Sequence, residues 1–173
     1  MKKILIFLLL FGTSLLAQNT MVVNSMSGLA KDTAVVTVTI QNTDQFTGFQ
    51  FEIPLSSQLV YIDNSAILTD RASGHILTAS VINGTTLKVF AYSTSMAEFS
   101  GNSGEVCSFK LKLGTIPGDY NLIIENGIIG NSESQNILTN FINGIVTIEA
   151  PDIDISPTSL DYDRVPLLQY SDR

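Results

Sequence analysis

Side chains able to do chemistry are few and far apart. Among 173 residues there is one histidine, His75, and one cysteine, Cys107. A nucleophile needs a base beside it and a third group to orient that base. No nucleophile elbow, phosphate loop or metal-spaced His/Cys cluster surrounds either residue. His75 follows Ser73-Gly74 and reads as an exposed residue at the start of a strand. Cys107, on the same side of its segment as Phe109, Leu111 and Leu113, reads as a buried, inert thiol. Paired carboxylates facing one cleft could hydrolyse a glycoside, and Asp152 with Asp154, or Asp161 with Asp163, could offer oxygen to calcium. The acids instead fall in turns and on strand exteriors, and a two-residue spacing turns each Asp pair to the open side of an extended strand. No catalytic residue, metal or cofactor is expected.

Residues that bind rather than react are better placed. In Leu87-Lys88-Val89-Phe90-Ala91-Tyr92, an inward Leu87, Val89 and Ala91 leave Lys88, Phe90 and Tyr92 facing outward. Gly48-Phe49-Gln50-Phe51-Glu52-Ile53 alternates in the same way and turns Gln50 and Glu52 out. Exposed aromatics beside charge are the residue types that dominate interface energetics. Gln50, Glu52, Lys88, Phe90 and Tyr92 therefore form the candidate binding face, the competing reading being that a loop or neighbouring domain covers the two aromatics.

The elements that must carry this face are strands. Thr33 to Ile40 is rich in β-branched residues, and further strand-like runs cover Leu59 to Ile62, His75 to Ile82, Thr85 to Tyr92, Gly104 to Leu113, Tyr120 to Glu125 and Ile142 to Glu149, with a short one near Met21 to Asn24. Asn83-Gly84 suits a tight hairpin, because both central residues of such a turn take positive φ. Gly101-Asn102-Ser103-Gly104, Pro117-Gly118-Asp119, Asn126-Gly127 and Asn143-Gly144 mark other turns. Helical periodicity is confined to one possible turn near Ser95 to Phe99. The expectation is an all-β, two-sheet antiparallel β-sandwich of about nine strands.

The ends differ from this body. Lys2 and Lys3, the apolar run Ile4 to Phe11 and the small residues up to Ala17 have the order of a secretory signal peptide over residues 1–18, with cleavage expected after Ala17 or Gln18. The apolar run is too short for a membrane span, which needs about 20 residues. Loss of Lys2 and Lys3 leaves seven basic against sixteen acidic residues. That balance repels nucleic acid and anionic lipid, so neither is expected as partner, and no membrane insertion follows signal removal. Residues 19–150 form one domain, and Pro151 opens an acidic segment, 151–173, too short to bury a core of its own.

The succession Val35 to Asn42, Thr47 to Ile53, Leu87 to Ser93, Ser103 to Lys112 and Phe141 to Ile148 resembles a cohesin-type domain, the jelly-roll β-sandwich module of bacterial scaffolding proteins, related to certain carbohydrate-binding modules. The resemblance spans Met21 to Glu149 and implies a non-catalytic module that binds a dockerin through one sheet face and adjoining loops. Ile155 to Tyr162 followed by Val165-Pro166 resembles the first strand of an immunoglobulin-like module of bacterial surface and ciliary proteins, so the chain is expected to be a monomeric module of a longer one. The expected setting is a secreted or cell-surface assembly linked to polysaccharide breakdown. Direct glycan binding is the alternative, although the chain has no Trp and only 5 Tyr to stack on sugars. A structural or adhesive spacer is the third.

Overall fold

The structure is a computed structural model and describes residues 18–151. The expected leader apart from Gln18, and the tail beyond Pro151 with its expected immunoglobulin-like strand, lie outside the described residues. The strands are β1 (Thr20–Val23), β2 (Met26–Leu29), β3 (Thr33–Gln41), β4 (Gly48–Pro54), β5 (Leu59–Tyr61), β6 (Ile67–Leu68) and β7 (His75–Ile82). They continue with β8 (Thr86–Ser93), β9 (Ser103–Leu113), β10 (Gly118–Leu122), β11 (Glu125–Gly130), β12 (Asn140–Ile142) and β13 (Gly144–Glu149). One sheet has the order β12-β1-β3-β9-β5 with β6 also on β9, a second β11-β4-β8-β7, and a third β10-β13-β2.

The sandwich follows from side chains that alternate in twos. In β4, Phe49, Phe51 and Ile53 are buried, and in β8 so are Leu87, Val89 and Ala91. Opposite them, β3 contributes Val36, Val38 and Ile40, and β9 contributes Phe109, Leu111 and Leu113 to the same core. Cys107 lies in that core, where burial pushes its thiol far above the ordinary value.

The all-β sandwich expected from the sequence is present, with thirteen strands in place of about nine. β2 and β6 are too short to show a period, and Asn143 divides the expected Ile142 to Glu149 strand into β12 and β13, which belong to different sheets. Asn126-Gly127 is not a turn between strands but a bulge inside β11, where the register on β4 shifts between Glu125 and Ile128. The pairing is not wholly antiparallel, since β1 runs parallel to β12 and β13 parallel to β2. The segment Ser95 to Phe99 is turn and loop rather than helix. Asn83-Gly84 does form the β7–β8 hairpin, with φ of 51° and 80°.

Two polar hubs tie the loops to this core. Arg71 donates from Nε to the Ser100 carbonyl at 2.6 Å, from one terminal nitrogen to the carbonyls of Ile40 and Gly104, and from the other to Asn42 Oδ1 and the Gly101 carbonyl. Its guanidinium also lies 5.5 Å from the Phe46 ring centre. Asn19, 1 % exposed, donates from Nδ2 to Asp44 Oδ2 and the Ile137 carbonyl, while its Oδ1 accepts from the backbone N–H groups of Thr43 and Asp44. Asn19→Ala leaves those two N–H groups without acceptors and should lower unfolding stability by about 2–3 kcal/mol, measured by urea denaturation.

His75 corrects the sequence reading. Its ring packs 3.8 Å from the Phe99 ring centre, Phe99 stacks on Phe46 at 4.7 Å, and Nε2 is buried without a partner. Burial lowers the His75 pKa, with the neighbouring backbone of Ala97, Ser73 and Thr47 opposing the shift. The folded ring thus stays neutral where the unfolded one gains a proton, so stability falls as pH drops below the ordinary value of 6.5. Melting temperatures between about pH 7.5 and 5 should fall more steeply for the wild type than for His75→Gln; equal slopes would contradict the assignment.

Candidate functional site

The five residues singled out in the sequence converge on the outer face of the β11-β4-β8-β7 sheet. Backbone register makes them neighbours: Gln50 lies opposite Phe90, Glu52 opposite Lys88, and Gly48 opposite Tyr92. Extending the rows outward adds Ile128 beside Gln50, Thr78 beside Phe90 and Ile76 beside Tyr92. Phe90 and Tyr92, two apart on β8, stack on each other with ring centres 5.0 Å apart and an interplanar angle of 17°. Phe90 is 39 % exposed and Tyr92 half-buried, so the pair is open to solvent among the described residues.

One edge of the face is polar and held in place. Lys88 Nζ lies 3.0 Å from Glu52 Oε1, and Asn126 Nδ2 donates to Glu52 Oε2 at 2.7 Å. The Asn126 hydrogen bond first, and Lys88 second, hold the Glu52 carboxyl below its ordinary range. The pair is partly buried, with the Lys88 side chain 38 % and the Glu52 side chain 13 % exposed; it fixes the orientation of two long side chains and neutralises the charge beside the aromatics. Asn126 escaped the sequence reading because Asn-Gly with positive φ serves a bulge as readily as a hairpin. Ile128, 39 % exposed, and Ile76, 44 % exposed, were missed for a different reason. The partner that gives Ile128 its meaning, Gln50, is far away in sequence, while Ile76 lies beside Tyr92 across the β7–β8 hairpin on a strand without charge to mark its outer face.

Above Gly48 and Gly130 the face dips into a depression of about 190 Å³, walled by Tyr92, Met96, Ile128, Asn131 and Ser134. Gly48 is required there, since a Cβ would stand 2.7 Å from the Ala91 carbonyl oxygen on β8. A larger cleft of about 280 Å³ opens elsewhere, between Leu55, Leu59, Tyr61, Val81 and Thr85, and shares no residue with this face. Among the described residues no group of three His, Cys, Asp or Glu side chains could hold a metal ion.

Comparison with solved structures agrees with the architecture. The sixth cohesin of scaffoldin B from Acetivibrio cellulolyticus, solved with a Cel5 dockerin mutant, superposes with a TM-score of 0.66 at 17 % identity, covering 76 % of this chain and 99 % of that one. The chain has the cohesin fold. A non-cellulosomal cohesin from the archaeon Archaeoglobus fulgidus gives 0.65 at 19 % identity, over 77 % and 92 % of the two chains. CaCohA2 from Clostridium acetobutylicum gives 0.64 at 17 % identity, over 76 % and 90 %. No family model matches the sequence, and no curated protein matches it. The likeness is therefore one of fold, at 17–19 % identity.

Gly48→Ala tests the local geometry. The added methyl must displace the β8 backbone under Tyr92, and the variant should lose about 1–3 kcal/mol of stability. A structure of the variant should show Ala91 and Tyr92 shifted while β3 and β9 keep their positions.

Proposed function

We propose that this chain is a non-catalytic, exported binding module that takes a dockerin-type protein on the outer face of β11-β4-β8-β7, within a secreted or surface assembly. The observation that carries the reading is the solvent-open Phe90–Tyr92 pair at the middle of that face, flanked by Ile128 and Ile76 and edged by the Lys88–Glu52–Asn126 cluster. An apolar aromatic centre with a polar edge is the anatomy of a protein interface. Solved cohesins of the same fold are complexed with dockerins, which supports the class of partner.

The same geometry weighs against direct glycan recognition. Rings that lie side by side as a platform stack on sugars, whereas Phe90 and Tyr92 spend one ring face each on the other. The exported setting rests on the order of the first eighteen residues, and a part in polysaccharide breakdown rests on the resemblance to scaffolding modules.

Binding should be measured by calorimetry against a panel of calcium-loaded dockerin modules from the same organism, beside an array of soluble polysaccharides. Phe90→Ala and Tyr92→Ala should each weaken dockerin binding by about 1 kcal/mol or more. Val35→Ala, on the outer face of β3, should leave it unchanged. Retention on glycan alone, or unchanged affinity of both aromatic variants, would overturn the reading.

A further inference from the structure

A sheet edge presents unpaired N–H and C=O groups, and folded proteins blunt such edges by shortness, charge, proline or a bulge. Among the described residues every edge but one is blunted in this way. β12, β5, β6 and β2 have four residues or fewer. β10 carries Asp119, while β11 carries Glu125, a bulge and the bridging segment around Asn136, whose Oδ1 accepts from the Ile129 N–H. β7 is the exception. It runs eight residues, His75-Ile-Leu-Thr-Ala-Ser-Val-Ile82, without a formal charge or proline, and its register on β8 is unbroken from His75 to Ile82. No hydrogen bond joins Ile76–Val81 to any described element other than β8. Its outward side chains are Ile76, Thr78 and Ser80, and its inward ones, Leu77 and Ala79, are only half-buried.

We propose that β7 pairs antiparallel with β7 of a second copy of this chain, in place of the monomeric state expected from the sequence. Charge selects a second copy as the occupant. At a net charge of −7 two copies meet at least cost where no carboxylates face each other at close range, and sixteen consecutive residues, Ala72 to Leu87, contain none. The strand is also complementary to itself. A twofold axis at Thr78 sets Thr78 against Thr78, Ile76 against Ser80 and Leu77 against Ala79, so large residues face small ones and each pair shares a face of the sheet. The two four-stranded sheets then join into one of eight strands, and the backbone groups left open on β7 satisfy one another. Because Ile76 and Thr78 neighbour Tyr92 and Phe90, the pairing extends the outer face without a break.

Sedimentation equilibrium of the purified chain from micromolar to millimolar concentration is the test. A reversible dimer is expected, and Thr78→Lys, which sets two ammonium groups against each other at the axis, should raise its dissociation constant at least about tenfold. The Thr78 side chain is exposed, so at the dilute end of the range, where the wild type is monomeric, the variant should keep the wild-type melting temperature. As a second measurement, Thr78→Cys should give a covalent dimer on mild oxidation, and Thr115→Cys, in an exposed turn, should not; buried Cys107 takes no part. A single monomeric species over the whole range, a dimer indifferent to Thr78→Lys, or equal cross-linking at positions 78 and 115 would overturn the proposal. None of these outcomes depends on whether a dockerin binds.

Discussion

The register between β4 and β8 is the constraint on which the rest of this structure depends. Side chains in a strand alternate, so a slip of one residue exchanges every buried position for an exposed one. With Phe51 opposite Val89, and Ile53 opposite Leu87, the apolar series of both strands enters the core together. The same register necessarily sets Gln50 beside Phe90 and Glu52 beside Lys88 on the other side. Core and candidate site are therefore two faces of one pairing. Gly48 guards it at one end, where only a residue without a side chain lets β4 approach the Ala91 carbonyl.

With a single cysteine, the chain holds itself closed without an internal disulfide. Its ends and loops are instead fastened by polar groups that saturate one another. The Arg71 guanidinium is surrounded by backbone carbonyls and an Asn oxygen rather than a carboxylate, so one side chain gathers the ends of β3 and β9 with the loop before β9. Asn19 does the same for the start of the domain and the loop between β3 and β4. Deleting Arg71 or Asn19 leaves several part-buried groups without partners at once, which is why these positions weigh more than a surface ion pair.

How much of this was legible in the sequence depended on whether the deciding information was local. The strand His75 to Ile82, the Asn83-Gly84 hairpin and the inward-outward split of Leu87 to Tyr92 are set by alternation and by φ preferences, and they appear where the sequence places them. The candidate face was half legible for the same reason: five residues from two alternating strands could be placed, but Ile128 and Asn126 join them only through the long-range pairing of β11 with β4, and Ile76 only through the register of the β7–β8 hairpin that sets it beside Tyr92. Asn126-Gly127 shows the limit well. Its preference for positive φ at Asn126 is local, and only the long-range pairing of β11 with β4 makes it a bulge rather than a turn. His75 was misplaced because burial at a strand end depends on Phe99, contributed by a loop more than twenty residues away.

Chemical-shift mapping on the isotope-labelled chain, titrated with a calcium-loaded dockerin module of the same organism, identifies the occupied sheet face residue by residue. Perturbations should concentrate on Gln50, Glu52, Lys88, Phe90, Tyr92 and Ile128. Perturbations on Val35, Lys110 and Lys112 of the opposite sheet, with the β4–β8 face unmoved, would contradict it.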